Sequence, residues 1–133
     1  MSHFTTVETK ITDVVCLLKA LKDLGYVYEQ AKQGQKLRVR GYRGQTTEAD
    51  IVVKASKTYD IGIQVTAKGV RFVADWWGVE TTRGVSEKEF VQAVKQRYAY
   101  HKVMAEIRKR GYTLTEEEQT ENKEIRIKVR TWG

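Results

Sequence analysis

The sequence has no proline, one cysteine and two histidines among its 133 residues. Without proline, and with no long Gly/Ser stretch or low-complexity run, there is no obvious linker, so residues 1–133 read as one domain. The lone Cys16 has no internal disulfide partner, which points to a reducing compartment and to a structural thiol rather than a nucleophile. His3, His101 and Cys16 lack metal-ligand spacing, and no cofactor is called for. No apolar run reaches the length of a membrane span, and Met1-Ser-His-Phe-Thr-Thr lacks the charged and apolar regions of a signal peptide, so a soluble, non-exported protein without membrane insertion is expected. No glycine-rich phosphate loop leads from a strand into a helix, and no serine or cysteine stands in a recognisable nucleophile context. The expectation is therefore a protein that is not an enzyme.

Positive charge and clear periodicity are what remain. Lys plus Arg number 24 against 17 Asp plus Glu, a net charge of +7, which suits a polyanionic partner, either nucleic acid or an acidic protein surface. Hydrophobic residues make up 41% and charged residues 31%, as in a well-solvated globular chain, and a chain of this length buries roughly two thirds of its unfolded surface.

Residues 3–11 alternate as a strand, and Thr12 or Asp13 can cap a helix whose Val14, Val15, Leu17, Leu18, Leu21 and Leu24 form one apolar face. Gly25 ends that helix and Tyr26 opens a strand. Residues 36–42 alternate with Leu37 and Val39 on one side and Lys36, Arg38, Arg40 and Tyr42 on the other. Residues 49–54 form a further strand, and residues 61–77 read as a hairpin turning at Lys68-Gly69 and running through Trp76 and Trp77. Ser86-Glu-Lys-Glu89 has capping-box spacing and opens a helix running to Arg110. A last hairpin follows, with Arg126, Lys128, Arg130 and Trp132 facing outward. The order helix, Gly-Tyr, strand, basic strand occurs twice, in Leu21-Lys-Asp-Leu-Gly-Tyr26 with Leu37-Arg-Val-Arg-Gly-Tyr42, and in Ile107-Arg-Lys-Arg-Gly-Tyr112 with Ile127-Lys-Val-Arg-Thr-Trp132. The reading is an α+β fold, an antiparallel sheet of about seven or eight strands with two helices, built from a duplicated β-α-β-β unit over 3–43 and 70–132.

Three groups of residues can carry a site. The basic strand faces Lys36/Arg38/Arg40/Tyr42 and Arg126/Lys128/Arg130/Trp132 can neutralise phosphates and stack bases, or can be solvated faces near the acidic residues Glu116, Glu117, Glu118, Glu121 and Glu124; the aromatic pattern of RNA-recognition modules is missing. In Asp75-Trp76-Trp77, adjacent tryptophans on a strand point to opposite faces, so one ring either serves a binding surface or lies under a helix. In Gln96-Arg97-Tyr98-Ala-Tyr100-His101, the histidine on an apolar stripe needs a partner, which Asp75 or a tyrosine hydroxyl can supply; the pair is either a general acid/base or a satisfied core histidine.

The blocks Lys19-Ala-Leu-Lys-Asp-Leu-Gly-Tyr26, Gly41-Tyr-Arg-Gly-Gln-Thr-Thr47, Tyr59-Asp-Ile-Gly62, Ala74-Asp-Trp-Trp-Gly-Val79, Gln96-Arg-Tyr-Ala-Tyr-His101 and Val129-Arg-Thr-Trp132, with the opening Met1-Ser-His-Phe-Thr-Thr, resemble the hypothetical chloroplast reading frame thirty-five family over essentially the whole chain. That family occurs in cyanobacteria, in the plastids of some algae, and in some phages and other bacteria. The resemblance implies a cytosolic or stromal location, supplies no catalytic residues, and draws attention to Asp75-Trp76-Trp77 and Tyr98 to His101. The leading expectation is a non-enzymatic accessory protein holding a protein partner through Asp75, Trp76, Trp77, Tyr98, Tyr100 and His101 with a basic sheet face. The alternatives are single-stranded RNA or DNA binding through the two basic strands, and an enzyme using Asp75 with His101.

Overall fold

The computed structural model describes residues 3–111, 113–119 and 125–130. Its centre is a five-stranded antiparallel sheet in the order β1-β7-β6-β5-β2, formed by Thr5–Glu8, Gly69–Ala74, Asp60–Thr66, Ile51–Lys54 and Tyr28–Gln30. Alternation along these strands sorts two faces. Ile51, Val53, Ile61, Ile63, Val70, Phe72 and Ala74 belong to the main core, whereas Val52 belongs to a second, smaller cluster on the other side.

Helices cover the first face. α1 (Val14–Asp23) starts where the Asp13 carboxylate accepts the Cys16 N–H and ends at Gly25, whose φ of +81° suits glycine. It buries Leu17 and Leu21, as the periodicity predicts. α3 (Glu87–Lys109) opens with the expected Ser86/Glu89 capping box and contributes Phe90, Val91 and Val94 to the same core. The ring of Phe90 makes edge contacts with Tyr26 and Phe72, each with centroids 5.3 Å apart.

A separate hairpin, β3 (Leu37–Arg40) with β4 (Thr46–Ala49), covers part of the second face. Val39 and Ala49 pack on Val52 from above, with Leu37 and Phe4 at the margin. The approach depends on Gly62 of β6, where a Cβ would lie 2.5 Å from Val39 Cγ2, 2.8 Å from Val73 Cγ1 and 2.9 Å from the Ala49 Cβ. A last hairpin, β8 (Thr113–Gln119) with β9 (Ile125–Arg130), lies against α3.

The architecture is α+β, with three differences from the sequence reading. The expected sheet of seven or eight strands is a five-stranded sheet plus two-stranded hairpins. The strand expected over 49–54 is two strands in different sheets, broken at Asp50, whose N–H donates to the Ile63 carbonyl while its carboxylate accepts the Val65 N–H and pairs with Lys36. The strand expected to run through Trp77 ends at Ala74, and a third helix, α2 (Trp76–Arg83), begins. Asp75 is the reason, because its carboxylate caps this helix by accepting the Gly78 N–H. As to the two stretches read as a repeat, β2 and β3 lie in different sheets, whereas β8 and β9 pair with each other.

Candidate binding surface

The start of α2 meets the turn between β3 and β4, and there Tyr42 of the first candidate group meets Trp77 of the second. Gly41 leaves β3 where a Cβ would sit 2.5 Å from the Phe4 ring, and its N–H donates to the Gln45 carbonyl, closing a tight turn over Tyr42–Gly44. Within it Arg43 has φ +53° and ψ +40°, the one non-glycine residue with positive φ among the described residues. Holding such a residue left-handed costs on the order of 1 kcal/mol, so the fold around it fixes the turn.

The Arg43 guanidinium stands 5.1 Å above the Tyr42 ring. Tyr42 in turn meets Trp77 edge-on, with centroids 6.1 Å apart and planes at 89°. Trp77 is 59% exposed, while Trp76 is buried against Phe90 at 5.8 Å. Opposite-facing tryptophans were expected; a helix turn produces the split that a strand was expected to make. Behind the surface Tyr59 lies across the α2 backbone, so close that a Cβ on Gly78 would be 1.8 Å from its ring. Burial, the neighbouring Asp75 carboxylate and Tyr42 push the Tyr59 hydroxyl above its ordinary pKa. Asp75 itself is 1% exposed and occupied as a cap.

The basic strand beside this surface is largely engaged with carboxylates. Arg40 donates its backbone N–H, Nε and Nη2 to Asp60, at 2.9 Å each, and Nη1 to the Lys57 carbonyl at 2.7 Å. Asp60 is fully buried, and its hydrogen bond and charge raise the Arg40 pKa against the cost of burial. Lys36 pairs with Asp50, and the exposed Arg38 stands opposite Glu48 in the β3–β4 register. In β9, Arg126 and Lys128 are in register with Glu118 and Glu116, and Arg130 with Thr113. Trp132 lies outside the described residues.

The third candidate group braces α1 against α3 instead of joining Asp75. The Tyr98 hydroxyl accepts the N–H groups of Thr12 and Asp13 at 3.4 and 3.1 Å. His101 Nε2 lies 2.5 Å from Asp23 Oδ2, the same oxygen that accepts Nη2 and Nε of Arg97 at 2.8 and 3.0 Å. Tyr100 meets the His101 ring edge-on, and Arg97 lies 4.4 Å above the Tyr100 ring. Burial raises the Asp23 pKa, but Arg97 and His101 outweigh it and hold the carboxyl below its ordinary value. The carboxylate partner of His101 is thus Asp23, and the expected Asp75–His101 pair is corrected: Asp75 is committed to the α2 backbone.

Cys16 Sγ donates to Asp13 Oδ2 at 3.4 Å, and burial together with that carboxylate raises its pKa, which disfavours the thiolate. Among the described residues no group of three or more His, Cys, Asp or Glu side chains is placed to hold a metal ion, and no helix is long and apolar enough to cross a membrane. Sequence reasoning did not single out Arg43, Tyr59 or Asp23, and it included Arg97 in the third group without assigning it a partner. The two glycines around Tyr42-Arg43 were the available signal for the first; the others depend on contacts remote in sequence.

Residues 20–128 match a family described as "Protein of unknown function (DUF1257)". The chain is also similar to proteins named "Uncharacterized protein ycf35". Identity is 31% to that of Cyanophora paradoxa, over 99% of this chain and 98% of the relative, and 30% to that of Guillardia theta, over the same shares. It is 28% to that of Pyropia yezoensis, over 100% and 99%. No solved structure matches.

Proposed function

The chain belongs to the DUF1257 family of proteins of unknown function, and from that premise we propose that it is a non-enzymatic accessory protein that holds a protein partner on the Tyr42–Arg43–Trp77 surface. The observation that carries this reading is Trp77, a large side chain kept 59% exposed and yet held in place by Tyr42. Tryptophan, tyrosine and arginine dominate the energetics of protein interfaces, and a rigid aromatic loses little entropy when it is covered. The partner suited to this surface offers an apolar side chain to Trp77 and a carboxylate to Arg43. A protein is favoured over nucleic acid because Lys36 and Arg40 are already paired with Asp50 and Asp60, so β3 does not present a continuous row of free cations to a phosphate backbone. The engagement of Asp75, His101 and Cys16 in internal contacts supports a role without catalysis. Cyanobacterial cytosol or plastid stroma is the proposed location.

Tagged protein and its Trp77→Ala and Arg43→Glu variants test the reading by pull-down from a cyanobacterial lysate, with and without nuclease. Both sites are on the surface, and both variants are expected to remain folded by circular dichroism. A nuclease-resistant partner that either substitution releases is the expected result. Folded variants that keep every partner would remove the proposal, and recovery that vanishes with nuclease would replace it with nucleic-acid binding.

A further inference from the structure

A second site lies away from the aromatic surface, where the segment leaving β1 passes the β6–β7 turn. Two adjoining concavities share Glu8, Thr9 and Lys68 in their walls. The larger, about 610 Å³, is also lined by Lys10, Ile11, Lys95 and Tyr98. The smaller, about 400 Å³, includes Arg71. Both volumes fall in the range of small-ligand sites.

Three observations point to the same kind of occupant. The first is charge, since Lys10, Lys68, Lys95 and Arg71 line the walls with Glu8 as the single carboxylate. None of these four cations forms an ion pair among the described residues, unlike Lys36 and Arg40 on the hairpin, although Glu8 stands opposite Arg71 in the β1–β7 register. The second is unspent donors. Arg71 Nε is buried with no hydrogen-bond partner and has no exposed surface of its own, so it meets an acceptor in the cleft only when the guanidinium turns toward it. The Tyr98 hydroxyl accepts two backbone N–H groups, which leaves its own proton to donate.

The third is rigidity. Thr9 Oγ1 donates to the Val70 carbonyl at 2.7 Å and accepts the Ile11 N–H at 3.2 Å, while the Val70 N–H donates to the Ile11 carbonyl at 2.8 Å. Gly69, with φ +142°, brings the turn so near that a Cβ would lie 2.2 Å from the Thr9 carbonyl oxygen. The donors therefore hang from a fixed frame, which lowers the entropic cost of gathering them around an anion.

We propose that this cleft binds a small organic polyphosphate, its phosphates held by Lys10, Lys68, Lys95 and Arg71 and its organic part resting on Ile11 and Tyr98. The site is independent of the aromatic surface, so either can fail alone. Isothermal titration with inorganic tripolyphosphate and with adenosine triphosphate, in a buffer of low ionic strength, tests it. Both probes should bind the natural protein, and Lys68→Gln/Lys95→Gln should weaken binding on the order of tenfold per lysine. A Lys19→Gln/Lys22→Gln variant, with the same change of charge on exposed positions of α1, should bind as the natural protein does. Because all four lysines are exposed, both variants should melt at the natural temperature. Tighter binding of the nucleotide than of tripolyphosphate would place the organic part on Ile11 and Tyr98. Absence of heat with both probes, or equal weakening in the two variants, would overturn the proposal.

Discussion

Replacing Gly62 with alanine tests how the β3–β4 hairpin sits on the sheet. The added Cβ would lie 2.5 Å from Val39 Cγ2 and under 3 Å from both Val73 Cγ1 and the Ala49 Cβ. All three neighbours belong to short side chains buried between the layers, so none can swing aside into solvent. Overpacking of this kind costs about 1–3 kcal/mol. The opposing gain from a less flexible unfolded chain is about 0.4–1 kcal/mol. With three contacts under 3 Å the cost lies in the upper part of the overpacking range, about 2–3 kcal/mol. The net expectation is a loss of about 1–2.6 kcal/mol, which at about 4 °C per kcal/mol for a chain of this length lowers Tm by about 4–10 °C. Urea unfolding should show a lower midpoint at unchanged slope. Val39→Ala removes the nearest methyl group and should offset part of the damage, so the double variant should be more stable than the sum of the single effects requires. If Gly62→Ala is neutral or stabilising, or if the two changes simply add, the hairpin does not rest on Gly62 and the placement of the Tyr42 turn loses its support.

Two further outcomes follow from individual contacts. Gly78→Ala places a Cβ 1.8 Å from the Tyr59 ring and must displace it, at a cost of about 1–3 kcal/mol; ultraviolet titration should then show one tyrosine returning toward its ordinary value of 10.0 from above. Asp23 has a folded-state pKa below its ordinary 3.8, so its contribution is present above that ordinary value and disappears as pH falls through the lowered one. Thermal melts from neutral to acid pH should therefore show the natural protein less stabilised over Asp23→Asn below pH 3.8 than above it, and a constant difference across that window would show that the Arg97 and His101 contacts do not hold the carboxylate.

The elements most legible in the sequence were those whose signals are local. The face of Leu17 and Leu21, the Gly25 stop and the Ser86/Glu89 capping box each lie within one helical turn or a few, and the structure reproduces them. The start of α2 was misread because Asp75-Trp76-Trp77 carries two opposed local preferences, aromatic strand propensity and an aspartate cap, and the cap prevails. The crossing at Asp50 was not legible, since its reason is a set of contacts with Lys36, Ile63 and Val65 that forms only when the layers are assembled. The candidate residues were legible as types and less so as neighbours. Trp77 and Tyr42 were singled out in separate groups, and only the fold brings them together. His101 was seen to need a partner, but Asp23 is 78 positions away, and no spacing rule connects them.

Arg40 and Asp60 have a significance beyond the contacts that occupy them. β3 and β4 are each four residues long, too short to distinguish one alignment from the next by hydrogen bonding alone. Sliding β3 by a single residue would turn Val39 away from the sheet, and it would leave a fully enclosed carboxylate with no guanidinium. That carboxylate would keep only Lys54, 4.0 Å away, and lose three hydrogen bonds, which for a buried charge costs several kcal/mol, whereas the native pair can be near break-even. The pair therefore acts less as glue than as a key for alignment, penalising mismatched arrangements while adding little to the correct one.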